Sequence, residues 1–472
     1  MFKPQQTLLF FTIILLVFIA ISILPLPNVI KINSKYSIKI PKITINNHNK
    51  TNTKVEEILK KIDKSEDSVA TNNKSNNTNI TDSLYPINVP INFSSALHSF
   101  FYALENENYI HVLHYGDSQI EGDRITSYLR HKFQSIKGGN CPGLIIPYKV
   151  NNIKQAINVE LKGNWKRFAI FGKANKAKHN QYGPLLQFIR FAPEYNDSIP
   201  NDSIIYDGNI ILNNNSSLFN INKLQLIYGN LKKPVLVQLY VNKEFIEMKS
   251  LIPTLTTQTI TFEINKTVNE IIIEFTGKDS PDLYAINFDS NQGIYFDNIP
   301  MRGSSGTDFS KILCSQLSSI FKQLNTKLII YQFGINVVPS NLESYNFYEQ
   351  WVYHQLKYLK QCSNDASILV VGTSDISFRT DSGIYSYPSV VKVRNAQKRA
   401  AERAGCAFWD TYEAMGGANS MQIWVKKGLA SKDFTNFNYS GAQKISQLLY
   451  QAIYNEYINY RNANKNSTAL KK

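Results

Sequence analysis

The chain has 472 residues, more than one ordinary domain holds, so two or three units are expected. Hydrophobic residues make up 43% and charged residues 18%, a globular balance that supports a sizeable core. The formal charge of +15 would suit an anionic partner. The lysines are scattered, however, without a basic stripe interleaved with stacking aromatics and without a zinc-finger or helix-turn-helix pattern, so nucleic acid is not an expected partner.

In chain order, Leu8 to Leu24 form an uncharged apolar run long enough to span a bilayer or to serve as the core of a signal peptide. No A-x-A site follows, which favours an uncleaved anchor within residues 1–27. Lys31, Lys35, Lys39 and Lys42 follow the run and only Lys3 precedes it, so the charges favour a cytoplasmic body. Long domains cross with little regard for such charges, and export to the cell envelope is the expectation. Residues 28–87 read as a polar tether, with a fragment of helix at Val55 to Ile62.

Beyond residue 87 strand and helix signals alternate. Tyr109 to Gly116 reads as a buried strand and Asp123 to Phe133 as a helix. Lys327 to Gly334, Ser367 to Thr373 and Cys406 to Asp410 are further apolar strands. Helical patterns cover Asp308 to Leu324, Glu343 to Gln361, Ser389 to Ala404 and Ser440 to Tyr460. This alternation predicts a three-layer α/β/α domain on a parallel sheet, built from residues 88–149 and 293–472. Between them, residues 150–292 carry runs that alternate apolar and polar, such as Thr259 to Ile264, with turn residues between. They predict an inserted β sandwich or jelly roll.

Sites in parallel sheets lie at the carboxyl ends of the strands. Four motifs fall there: His114 to Arg124 (HYGDSQIEGDR), Arg302 to Phe309 (RGSSGTDF), Gln332 to Val338 (QFGINVV) and Lys432 to Ile445 (KDFTNFNYSGAQKI). In the first, Ser118 stands where a strand gives way to a helix, whose N-terminus offers amide donors. Read singly, Gly306 is a turn glycine and Asn336 a helix N-cap. Asp375 and the Gly416-Gly417 turn are plausible pocket residues, or ordinary loop.

Taken in order, the four motifs resemble the blocks of the SGNH hydrolases, also called GDSL esterases. The resemblance implies a flavodoxin-like fold in which Ser118 is the nucleophile. Its own amide, the Gly306 amide and the Asn336 side chain would then hold the oxyanion. The family's last block is Asp-x-x-His. Here it is Asp433-Phe434-Thr435-Asn436, so Asp433 is the triad acid and Asn436 takes the place of the histidine. An amide has no titratable nitrogen and cannot act as a general base. Of the seven histidines none is a strong substitute. His114 reads as a packed core residue, and His179 belongs to the β insert.

The insert also resembles the carbohydrate-binding-like module of the family's peptidoglycan O-acetylesterases. The implied activity is hydrolysis or transfer of O-acetyl groups on peptidoglycan or another envelope glycan, with no cofactor and no metal. A membrane acyltransferase is a partner the resemblance allows. The alternative is a catalytically impaired protein that binds glycan or scaffolds a complex. The cysteines, Cys141, Cys314, Cys362 and Cys406, form no CxxC pair. Separate buried thiols are expected, with a Cys362–Cys406 bridge as the other option.

Overall fold

The computed structural model describes Thr12 and residues 29–31, 37–39, 53–63, 85–90, 96–148, 157–195, 203–214, 219–290 and 292–469. The chain divides into Met1–Thr53 and Lys54–Lys472. In the first unit Val29–Lys31 pairs antiparallel with Ser37–Lys39. The apolar run Leu8 to Leu24 lies, apart from Thr12, outside the described residues. Among the described residues no helix is long and apolar enough to cross a membrane.

The second unit is built on five parallel strands: β1 (Tyr109–Gly116), β2 (Gly293–Pro300), β3 (Thr326–Gln332), β4 (Ser367–Val371) and β5 (Ala407–Trp409). Their spatial order is β2-β1-β3-β4-β5, the flavodoxin-like arrangement. These strands are apolar almost throughout because both faces of the sheet are covered. On one face Ile110, Val112, Leu328, Ile330 and Leu369 pack against α2 (His98–Asn106), α3 (Thr126–Lys137) and the long α7 (Tyr439–Ala469). On the other, Leu113, Tyr115, Ile329, Tyr331 and Val370 pack against α4 (Cys314–Gln323), α5 (Asn346–Ser363) and α6 (Val390–Ala404). The β2 strand, which the sequence places in the α/β domain without naming it as a strand, forms one edge of this sheet.

Between β1 and β2 the chain forms two antiparallel sheets of five and six strands facing each other over an apolar core that includes Val237, Leu239, Phe262, Ile273 and Phe288. The expected β sandwich is therefore present. It is fastened to the α/β layers by the segment around residues 180–186: Tyr115 Oη donates to Pro184 O at 2.8 Å, and Gly183 N donates to Gln316 Oε1 at 3.0 Å. Leu185, Leu186 and Tyr182 continue the apolar layer under α4.

Two features differ from the sequence reading. Within the stretch read as tether, the helix expected at Val55 to Ile62 is present as α1 (residues 53–63), but it is packed into the body rather than part of a linker: its Val55, Ile58, Leu59 and Ile62 are buried. That i, i+3, i+4, i+7 spacing makes one apolar face. The face joins the core beside α7, where Gln447 Nε2 donates to Ile62 O at 3.2 Å. Secondly, Cys314 and Cys362 form a disulfide, in place of separate thiols or a Cys362–Cys406 bridge. The first turn of α4 lies against the last turn of α5 with the two Cα atoms 5.3 Å apart, whereas Cys406 is buried at the entry to β5 and keeps its thiol.

If α1 is structural rather than linker, truncating Ile62 should be felt by the whole body. Ile62→Ala should lower unfolding free energy by about 2–5 kcal/mol, the usual range for a buried Ile or Leu reduced to Ala. A urea titration of the full chain measures it, and an unchanged midpoint would refute the role.

Candidate active site

Ser118 follows the carboxyl end of β1, at the start of a 3-10 segment, Ser118–Asp123. The expected α-helix begins only at Thr126, because Gly122 and Asp123 take positive φ and break the turn. Ser118 is thus presented on a tight bend and remains half-exposed.

Ser118 Oγ donates to Asn436 Oδ1 at 3.0 Å, and Asn436 Nδ2 donates to Asp433 Oδ2 at 2.9 Å. The other Asp433 oxygen accepts from the amides of Thr435 and Asn436 at 2.9 and 3.1 Å. A carboxylate has no proton to donate, so the NH2 end of Asn436 must face Asp433 and its carbonyl must face Ser118. The three side chains form an unbroken chain in the order serine, amide, carboxylate. Sequence reasoning joined these residues, and the structure brings them together.

Asn336, exposed just past β3, does not cap a helix. Its Nδ2 donates to Ser304 O at 2.9 Å, leaving the second N–H of that amide for another acceptor. Gly306 sits at φ +81, and a side chain there would collide with the Tyr331 hydroxyl, which itself donates to Gly306 O. Its amide donates to Ser304 Oγ at 3.0 Å, and that hydroxyl in turn donates to Asp308 Oδ2 at 3.1 Å. Two of the three expected oxyanion donors, the Gly306 amide and the Asn336 side chain, are therefore bonded to Ser304 in this structure. An incoming oxyanion would have to take the Gly306 amide from a neutral hydroxyl.

Three residues important to the site escape sequence reasoning. Gln119 Nε2 donates to Thr435 O at 2.8 Å, and its Oε1 accepts from Phe437 N at 3.1 Å, so one carboxamide holds the backbone on both sides of Asn436. Arg124 donates to the carbonyls of Ser118 and Phe437, each at 2.5 Å, tying the same two segments a second time. Ser304 is the third. The Thr435 and Phe437 backbone groups that Gln119 and Arg124 hold lie more than 300 residues away, so no local pattern announces them. Asp375, a plausible pocket residue by sequence, is fully buried and accepts from the Met421 amide at 2.9 Å, holding the short helix Ser420–Lys426. Gly416 lies against Val55 of α1.

No histidine bonds to Ser118 among the described residues. His114 is buried between Gln332 Oε1 and Thr126 Oγ1, each at 2.9 Å, as expected of a core residue. Burial pushes it down to about 4. His111 contacts Asp297 at 2.6 Å, and His179 lies 3.0 Å from Asp282 within the β insert. Asp117, next to the serine, accepts from the amides of Gln119, Gly334 and Ile335, bridging the first and third motifs. Desolvation nevertheless pushes its carboxyl up to about 7.

A scan against protein-family models finds no match, and a search of the curated proteins finds none either. Solved structures do match. A peptidoglycan O-acetylesterase aligns over 78% of this chain and 96% of its own, at 20% identity and a TM-score of 0.58. A salicylyl-acyltransferase from a tetracycline biosynthetic pathway aligns over 64% of this chain and 94% of its own, at 10% identity and 0.26. A lipase/acylhydrolase from Enterococcus faecalis covers 34% of this chain and 76% of its own, at 12% identity and 0.25. The last two alignments are too loose to say anything of this chain. The first defines the fold: a three-layer SGNH hydrolase architecture carrying a β-rich insert, as the motif order implies.

Asp117 and His114 make opposing contributions to stability over one pH range. A carboxyl raised from about 3.9 stabilises the fold below that value, and its contribution is lost as pH rises through 7. A histidine lowered from about 6.5 stabilises above that value and loses its contribution as pH falls through 4. Between pH 4.5 and 6.5 the two slopes cancel in part. Asp117→Asn removes one of them, so this variant should lose stability on acidification more steeply than wild type, by up to about 1.4 kcal/mol per pH unit. Urea midpoints at pH 4.5 and 6.5 measure the difference, and equal slopes would contradict it.

Proposed function

We propose that the protein is an exported SGNH-type acyl-ester hydrolase or acyltransferase acting on O-acetyl groups of peptidoglycan or another envelope glycan, slowed by the amide at position 436. The observation that carries this reading is the hydrogen-bonded chain Ser118–Asn436–Asp433, which repeats the layout of a serine triad with a non-basic middle member. The acetylated glycan is proposed from the fold shared with a peptidoglycan O-acetylesterase. Export is supported by the Cys314–Cys362 disulfide, a bond that persists in oxidising compartments. In this reading residues 1–27 anchor the body at the membrane, where a membrane acyltransferase is a candidate partner.

A second reading, a glycan-binding protein without turnover, draws on Ser304. Its backbone and side chain occupy donors of both Asn336 and Gly306, an arrangement that favours a resting pocket over an open oxyanion hole.

The two readings separate on a chromogenic acetate and a fluorophosphonate. Acyl-ester chemistry predicts slow hydrolysis by wild type that disappears in Ser118→Ala, and labelling of Ser118. Asn436→His should raise the rate by ~10²–10⁴-fold, the usual gain from a positioned general base. Asn436→His combined with Ser118→Ala should return it to background. Silence of both wild type and Asn436→His, with no labelling, would leave the binding reading.

A further inference from the structure

We infer that Asn436 relays the serine proton to Asp433, acting as a neutral two-ended conduit with the carboxylate as terminal acceptor. This rests on the acyl-ester reading and deepens it. An amide cannot keep a proton as imidazole does, because its oxygen is a feeble base. It can accept one at oxygen while giving one up from nitrogen, passing from amide to imidic acid without net charge. That exchange needs three conditions. The serine must donate to the amide oxygen, the amide nitrogen must donate to an acceptor able to bind a proton, and both bonds must lie within hydrogen-bond distance. The observed contacts, 3.0 Å from Ser118 Oγ to Asn436 Oδ1 and 2.9 Å from Asn436 Nδ2 to Asp433 Oδ2, meet all three.

The surroundings hold the amide in place. Asn436 O accepts from Ser431 N at 2.8 Å, its own amide is bonded to Asp433, and its neighbours on both sides are clamped by Gln119. A flipped amide would set its NH2 toward a hydroxyl and its oxygen against a carboxylate, so the conducting orientation is also the stable one. Asp433 is exposed, which lets the acceptor exchange its proton with water.

The step balances. Ser118 Oγ forms a bond to the acyl carbon as the carbonyl pair moves to oxygen. The Oγ–H proton passes to Asn436 Oδ1, and an Nδ2–H proton passes to Asp433 Oδ2. The products are a tetrahedral adduct, a neutral imidic acid and a neutral carboxylic acid. On collapse the C–O bond to the glycan breaks, the leaving oxygen takes the proton from Asn436 Oδ1, and Asp433 returns its proton to the nitrogen. The amide is restored beside an acyl-serine. Water, or a second hydroxyl in a transfer reaction, repeats the sequence to release the acyl group.

The test follows 4-nitrophenyl acetate hydrolysis by full-length wild type, Asp433→Asn, Asn436→His and Ser118→Ala. Asp433→Asn keeps an oxygen to accept from Thr435 and Asn436 but cannot take a proton. It should lower the Ser118-dependent rate about 10²-fold or more, the contribution of a positioned base, at an unchanged melting temperature. In mixtures of H2O and D2O the wild-type rate should bow downward, because two protons move in one step. A Ser118-dependent rate that survives Asp433→Asn, or a linear dependence on deuterium, overturns the relay. So does a wild type no faster than Ser118→Ala while Asn436→His is active, an outcome that leaves the acyl-ester reading standing. Failure of Asn436→His as well brings down both.

Discussion

One carboxamide holds the site together. Gln119 is the residue after the nucleophile, yet its side chain bonds the backbone at Thr435 and Phe437, on either side of a residue 318 positions from Ser118. Each bond alone is modest, on the order of 1 kcal/mol net. Their value is geometric, since two bonds from one planar group fix both distance and rotation of the loop relative to the serine. Arg124 repeats the tie with two charge-assisted bonds to carbonyls of the same segments. The register of Ser118 against Asn436 thus follows from main-chain contacts, and it would survive exchange of the side chain at 436.

Beneath this clamp the site rests on buried polar groups whose hydrogen bonds are satisfied within the protein. Asp117 gathers amides from the turn after β1 and from the turn after β3, so the first and third motifs share an anchor. His114 bonds with both ring nitrogens and is therefore spent as a structural group. His114, the histidine nearest the nucleophile in sequence, is thus unable to serve it. The sheet brings its five carboxyl ends together, and the polar layer under them sets which groups are left to act.

Much of this was readable from sequence. The strands of the central sheet are largely apolar because they are covered twice, and that pattern is local, so β1, β3, β4 and β5 were visible. The turns after β1 and β3, together with the motifs holding Gly306 and Asp433, placed Ser118, Gly306, Asn336 and Asp433 at one edge. What could not be read depends on contacts between distant segments. The Gly293–Pro300 segment falls by sequence in the α/β domain but is not named there as a strand, and its parallel pairing with β1 is what makes it an edge strand of the central sheet. The helix of residues 53–63 is readable as a helix, but it is short and lies in a polar stretch, so nothing local shows that its apolar face docks on the body. The partner of Cys362 is decided by the packing of α4 on α5, about which spacing along the chain is silent. The Ser304 bonds that engage the oxyanion donors depend on backbone angles at Gly306 that no motif encodes.

The two cysteines outside the disulfide have a further use. Cys141 and Cys406 are buried, and desolvation pushes both thiols up to about 12, so in the folded protein almost none of either is present as thiolate. Neither can attack the Cys314–Cys362 bond or a reagent in solution until its shelter opens. One lies where the β sandwich meets α3 and the other at the last strand of the parallel sheet. Their alkylation rates under native conditions would therefore clock the opening of the two halves separately, without any engineered label.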